Sequence, residues 1–382
     1  MYHIILITLV LLTNLSSAAQ KPHYPEFSWD SLPLYMHIRK SDAYTGTEIN
    51  FIAKFPLVTF EKANGNKSYG SVEKGTLIAA RAVKKANPKS CILYYRNVIV
   101  HYSGYADNKQ LDHIPDALLA DAKGNQKLVR NKVPAYDLST PALRDWWVKN
   151  CQKIVADPAI DGVFLDGNIK ALEKGYLKRQ IGVEKKAAVT KGYHQLLSET
   201  RKAIGKDKLM VANMLRARFN DGGLEFMDGL DGSYLENFFQ TVGKNTSYED
   251  YVAKGIHSMQ QAARSGKIIA FTSTAGQAHN NSEQGIDEAH AKVSSSAQFR
   301  EALTYPLAIF LICAEKYSYF RLHEGYAVTE DARWMRWPEE YDKPLGPPSG
   351  PALKDGYRYT RKFKHATVQL DIKKRVGKIL WH

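Results

Sequence analysis

The chain has 382 residues, 44% hydrophobic and 11% aromatic, with a formal net charge of +14. That is enough apolar chain to bury a sizeable core, and it suits one large domain of roughly 250–330 residues with a small appendage. Cys91, Cys151 and Cys313 each lie among apolar neighbours with no second Cys or His at ligand spacing, which argues against a structural zinc site and a disulfide framework.

Residues 1–19 (MYHIILITLVLLTNLSSAA) read as a signal peptide. The run Ile4–Leu12 is apolar apart from Thr8 and too short to span a bilayer, and Ser17 and Ala19 are small residues suited to a cut before Gln20. The expected product is exported, secreted or periplasmic, with no stable membrane span. LPLYMHIR (Leu32–Arg39) predicts a first strand and FPLVTFEK (Phe55–Lys62) a second. Thr76–Ala86 then has the spacing of an amphipathic helix stopped by Asn87-Pro88. CILYYRNVIVHY (Cys91–Tyr102) predicts a third strand, followed by a polar excursion from Ser103 to Pro134 of the kind that binds substrate.

Ser139 or Thr140 can cap a helix from Ala142 to Ala156, with Pro141 in its first turn. That helix leads into IDGVFLDGN (Ile160–Asn168), where a short apolar run delivers Asp166 and Asn168 to a turn. A helix over Lys185–Ile204 and strands over Lys208–Leu215 and Gly232–Phe239 follow. Beyond them come a helix over Tyr248–Arg264, a strand over Lys267–Thr274, a helix over Phe299–Ala314 and an eighth strand over Tyr317–Tyr326. Eight strands, with helices after most of them from the second onward, predict α/β architecture, a (β/α)8 TIM barrel over 28–333 rather than a doubly wound sheet. No Gly-x-Gly-x-x-Gly or Walker motif appears, so no nucleotide cofactor is expected.

From Trp334 onward the chain turns Pro- and Gly-rich and then alternates through YRYTRKF, ATVQLDI and VGKILW. This predicts a connector and a small C-terminal antiparallel β extension of three strands over 334–382, packed on the barrel. From Lys343 to His382, ten Lys or Arg stand against Asp355 and Asp371, so more than half of the excess charge lies here. Such a balance favours acidic polysaccharide, anionic surfaces or nucleic acid. No zinc-finger, RRM or helix-turn-helix pattern supports nucleic acid.

In a closed barrel, functional groups gather where strands end at the C-terminal face. Those ends present Glu61, then Tyr95 and Arg96, Asp166 and Asn168, Asn213, Glu236 and Asn237, Thr272, and Arg321 with Glu324. Asp166 and Glu236, on the fourth and sixth strands, can face each other across the mouth, as glycoside hydrolysis requires of two carboxyl groups. Asp166 is the candidate nucleophile. Glu236, flanked by Tyr234, Leu235, Phe238 and Phe239, is the candidate acid/base. The remaining residues, together with Asp137 and Arg216, are candidate substrate contacts. The same residue types also serve as helix caps and rim ion pairs: Asp166 could cap the next helix, Asp137 could be a turn residue, and Glu236 could merely pair with Arg216 or Arg321. Arg96, Arg216 and Arg321 suit bidentate binding of a carboxylate or sulfate, which would connect the basic charge to an anionic glycan.

The DGVFLDGN strand, the preceding YDLSTPALRDWW, and the terminal EYDKPLGPP with DGYRYTRKFKHATVQLDIKKRVGKILW together resemble a family of hypothetical TIM-barrel proteins related to glycoside hydrolases. The resemblance covers most of the chain. It implies a barrel with Asp166 as a catalytic candidate and a carbohydrate substrate; the partner acid rests on position alone, and the basic charge and arginines, not the resemblance, bring in sulfated or uronate-bearing chains. The expected activity is hydrolysis of O-glycosyl bonds in a poly- or oligosaccharide, by a retaining two-carboxylate mechanism. The alternatives are a glycan-binding barrel without catalysis and a polysaccharide lyase. No G-x-S-x-G elbow favours an esterase.

Overall fold

The structure, a computed structural model, describes residues 21, 23–236, 238, 246–274, 296–323, 325–328 and 333–382. The leader expected over 1–19, Asn237 and Glu324 lie outside the described residues.

The first half of the barrel is built from β1 (Tyr35–Ile38), α1 (Gly46–Ile52), β2 (Leu57–Phe60), α2 (Asn66–Tyr69), α3 (Val72–Ala86), β3 (Cys91–Asn97), α4 (Pro141–Val155) and β4 (Gly162–Asp166). The second half comprises α5 (Asn168–Leu172), α6 (Lys178–Ile181), α7 (Val183–Ile204), β5 (Leu209–Asn213), β6 (Gly232–Leu235), α8 (Tyr248–Arg264), β7 (Ile268–Thr274), α9 (Ser296–Cys313) and β8 (Ser318–His323). All eight strands pair in parallel in sequence order. The ring closes where the Phe320 amide donates to Pro33 O and the Arg39 amide to Tyr326 O, each at 2.9 Å. This is the predicted (β/α)8 barrel.

Side chains alternate across each strand, so every second residue points into the barrel. Tyr35, Leu57, Leu93, Tyr95, Phe164, Val211, Tyr234 and Ala270 fill that interior, while the opposite parity packs under the helices. Alternation then carries the inward face of β2 to β7 up to Glu61, Asn97, Asp166, Asn213, Glu236 and Thr272 at the mouth.

The helix α1 is one that hydrophobic periodicity did not predict. It is only seven residues long, with Phe51 and Ile52 as its buried residues, and it is secured by a Thr45/Glu48 capping box. The appendage has four antiparallel strands rather than three: β9 (Leu353–Asp355), β10 (Arg358–Lys362), β11 (Ala366–Asp371) and β12 (Val376–Trp381). The extra strand, β9, is exposed at all three residues, so it carries no alternation for a sequence pattern to reveal. One face of this sheet packs on α9, where Tyr359, Phe363, Val368 and Leu370 join the core that lies outside the barrel wall. All three cysteines are free and buried.

Candidate active site

Asp166 ends β4 and is followed by Gly167 at φ +79°, a left-handed conformation that glycine adopts without a Cβ penalty. A Cβ on Gly167 would lie 2.5 Å from Asn97 Oδ1, so glycine also admits the neighbouring Asn97 side chain. Asn97 uses that approach. Its Nδ2 donates to Asp166 Oδ2 at 3.1 Å, while its Oδ1 accepts from the amides of Ile99 and Val100. The Tyr95 hydroxyl donates to the same Asp166 Oδ2 at 2.6 Å.

Burial works against ionisation of Asp166. The Tyr95 hydroxyl, the charges of Lys62 and Lys170, and the Gly167 amide outweigh it, and the carboxyl is held below the usual Asp range. Asp166 is therefore an anion, positioned by donors, at the tip of an inner strand.

Glu236 follows β6, and its side chain is 25% exposed. Its Oε2 accepts from Asn213 Nδ2 at 3.0 Å and from Arg216 Nη2 at 3.4 Å, and its Oε1 accepts from the Tyr326 hydroxyl at 3.4 Å. The Tyr326 hydroxyl also shares a 2.7 Å hydrogen bond with Tyr234, which accepts from Thr272 Oγ1 at 2.9 Å. Asn213 connects the two acids, because the same Nδ2 reaches Asp166 Oδ1 at 3.2 Å. An amide nitrogen has two protons, one for each carboxylate. The flipped amide would aim its oxygen at two anions, so electrostatics selects this orientation.

The floor below is aromatic. His37 stacks on Tyr234 with ring centroids 5.1 Å apart and meets the edge of Phe164 at 5.0 Å. Burial, reinforced by the nearby Lys62, pushes the His37 pKa well down, so its imidazole is neutral. Glu61, at the end of β2 and two strands from Asp166, is buried and ion-paired to Lys62 and to Arg39 at 3.4 Å. Burial raises its pKa, and the two cations limit the rise.

The structure thus gathers Glu61, Tyr95, Asp166, Asn213, Arg216, Glu236 and Thr272 at one mouth. It does not bring the other expected contacts there. Arg96 has the opposite strand parity to Tyr95 and is buried outside the barrel wall, 4.2 Å over the Tyr105 ring and 5.2 Å over Trp146. Arg321 donates to Trp334 O at 2.6 Å and lies over Phe55 at 5.0 Å, buried in an aromatic collar. Asn168 is fully buried, donating to Leu165 O at 2.7 Å and accepting from the Tyr193 hydroxyl at 2.9 Å, so it ties β4 to α7. Asp137 accepts from Lys185 Nζ at 2.8 Å and from the Ser139 amide at 3.0 Å in the turn before α4.

Asn97, Lys62, His37 and Tyr326 are the site residues that the sequence reading did not select. Period-two spacing from Tyr95 would have found Asn97. The loop position of Tyr326 leaves no such signal.

Among the described residues, no helix is long and apolar enough to cross a membrane, and no group of three or more His, Cys, Asp or Glu side chains is placed to hold a metal ion.

In fold, the chain is similar to the glycoside hydrolase domain of PelA from Pseudomonas aeruginosa, at 12% identity and a TM-score of 0.43, over 64% of this chain and 84% of that one. It is also similar to an α-galactosidase from Thermus thermophilus, at 12% identity and a TM-score of 0.49, over 92% of this chain and 68% of that one. An α-galactosidase from Geobacillus stearothermophilus aligns at 12% identity and a TM-score of 0.47, over 89% of this chain but 47% of that one. Among curated proteins, none matches in sequence. Residues 84–367, well over half of the chain and spanning both carboxylates, match a single family description, and the chain belongs to that family, hypothetical glycosyl hydrolase family 15.

Proposed function

We propose that this protein hydrolyses O-glycosidic bonds of a poly- or oligosaccharide, with Asp166 as nucleophile and Glu236 as general acid/base. The observation that carries the reading is the Asn213 amide, whose Nδ2 lies 3.2 Å from Asp166 Oδ1 and 3.0 Å from Glu236 Oε2. Those two oxygens can be no farther apart than the sum of the two distances, which keeps the carboxylates close enough for the about 5–5.5 Å separation of a retaining pair.

In the first step an Asp166 oxygen bonds to the anomeric carbon as the glycosidic C–O bond breaks, and Glu236 passes its proton to the leaving oxygen. In the second, water gives a proton to Glu236 while its oxygen takes the anomeric carbon and frees Asp166. The division of roles follows the surroundings. Asp166 faces fixed donors that keep it anionic. Glu236 is partly open to solvent and touches Tyr326, whose hydroxyl can donate to the ionised acid or accept from the protonated one.

Lys62, Lys170 and Arg216 around the carboxylates support an anionic sugar as substrate. The apolar run Ile4–Leu12 supports export, to be checked by N-terminal sequencing of the mature protein.

Sugar release from neutral, uronate-bearing and sulfated polysaccharides is the direct test. Asp166→Asn and Glu236→Gln are each expected to lower kcat by at least about 10³-fold while the chain stays folded, in line with the barrier each group supplies. Proton NMR of the first-formed product should show retained anomeric configuration. Unchanged turnover in Asp166→Asn, or glycan binding that survives both substitutions with no reducing ends produced, would overturn the proposal in favour of a glycan-binding barrel.

A further inference from the structure

The appended sheet has two unlike faces. Tyr359, Arg361, Val368 and Leu370 point inward to α9, whereas Arg358, Lys362, Gln369, Val376, Lys378 and Leu380 are exposed on the other side. Strand register sets Thr360, Gln369 and Lys378 in one row across the sheet and Lys362, Thr367 and Leu380 in the next. Leu353, Val376 and Leu380 on this face are three of the four large hydrophobic residues exposed among the described residues, at 73%, 54% and 38%.

Cations extend this face at both ends. Lys364 follows β10, and Lys373, Lys374 and Arg375 form the turn between β11 and β12. The acidic residues nearby are already engaged: Asp371 pairs with Arg358 at 3.2 Å, and Asp355 sits across from Arg358 in the register. Among the described residues, Lys362, Lys364 and Lys378 form no ion pair, while Lys374 lies by Asp371, whose carboxylate accepts from the Lys374 amide at 3.0 Å.

The basic turn also has a defined place relative to the catalytic mouth. Arg375 lies 4.1 Å over the Tyr248 ring, and the Tyr357 hydroxyl donates to Asp250 at 2.6 Å. Tyr248 and Asp250 belong to the first turn of α8, and in this architecture each helix that follows a strand begins at the mouth end.

We propose that the outer face of this sheet, from Lys364 and Lys362 through Lys378 to the Lys373–Arg375 turn, docks an acidic polysaccharide chain and leads it towards the catalytic mouth. The cations are spread along the strands, so a small anion would meet one or two of them whereas an extended polyanion meets them all. Exposed aliphatic side chains between the charges suit the apolar faces of sugar rings. The choice of an acidic glycan over an anionic lipid surface rests on the glycosidase reading, because the strip runs to the mouth where that reading places the scissile bond.

Binding is measured on the Asp166→Asn chain so that no cleavage intervenes, with polygalacturonate, chondroitin sulfate, neutral dextran and phosphatidylserine vesicles as probes at two salt concentrations. The parent should bind at least one acidic polysaccharide and not dextran. Replacing Lys362, Lys374 and Lys378 together by Gln should weaken that binding by about ten-fold or more and reduce the slope of log Kd against log salt by about two. Replacing Lys191 and Lys202 on α7 and Lys206 in the turn after it by Gln should leave it unchanged. Equal loss in both triple variants, no loss in the first, equal affinity for dextran, or binding to vesicles alone would each overturn the docking proposal. Sugar release from a short soluble oligosaccharide by the otherwise wild-type chain should survive the first triple variant. Docking that depends on the three lysines with no sugar release from any glycan would instead sink the hydrolase reading and leave the docking surface standing.

Discussion

Tyr95 and Gly167 show how single residues set the state of Asp166. The Tyr95 hydroxyl, 2.6 Å from Asp166 Oδ2, favours the ionised carboxylate, and a hydrogen bond to a charged group contributes about 1.5–3 kcal/mol. Because the native pKa of Asp166 is lowered, its contribution to stability is present above the unfolded value, near pH 4, and is lost as pH falls through the lower native value. Tyr95→Phe should therefore move the acid limb of the kcat/KM profile to higher pH. A limb that stays in place would show that Tyr95 does not tune the nucleophile. Gly167→Ala would combine a strained positive φ with a contact against Asn97, and should cost about 1–3 kcal/mol in urea unfolding together with most of kcat. Full activity in that variant would mean that Asn97 does not hold Asp166. The DGN motif was legible in the sequence as a strand end that delivers a carboxylate. The choice of Arg96 over Asn97 missed a parity rule, for only residues an even number of positions from Tyr95 share its inward face.

The helix α9 and the sheet packed on it explain each other as elements. Leu307 to Ala314 are all fully buried, so no side of the C-terminal half of this helix is left for water. Its inner side meets the barrel, with Phe310 5.2 Å from Phe320 and 5.9 Å from Phe271. Its outer side is closed by β12, where a Cβ on Gly377 would lie 2.7 Å from the Ala308 methyl. The C-terminal carbonyls of α9 have no partners within the helix, and Arg361 supplies them, donating to Leu311 O at 3.1 Å and pairing with Glu315 at 2.9 Å. Arg361→Met would keep much of the apolar stem but leave buried carbonyls unpaired, which should cost about 2–4 kcal/mol in urea unfolding. A loss below about 0.5 kcal/mol would show that water replaces the guanidinium. The all-apolar run Phe299–Ala314 was legible as a helix. What covered its second side was not, because that depends on a partner more than forty residues further along the chain.

For the whole molecule, the succession of eight strands, most of them followed by a helix, was readable because most βα units repeat a local pattern. The junction of barrel and sheet is a tertiary fact, and it carries a consequence for stability. One continuous hydrophobic cluster includes Val163 under the barrel wall, Leu307 and Ile309 in α9, and Tyr359, Phe363, Val368 and Ile372 in the sheet. A four-stranded sheet of this size is marginal by itself, and α9 would expose its outer apolar side without it. Barrel and sheet should therefore unfold together, as a single domain does, and not as two modules joined by a linker. Hydrogen exchange in increasing urea measures this directly. Amides of β10–β12 are expected to lose protection at the same denaturant concentration as those of β3–β5. Earlier loss in the sheet, with the barrel amides still protected, would show that the sheet is a separable module and that α9 tolerates water on its outer side.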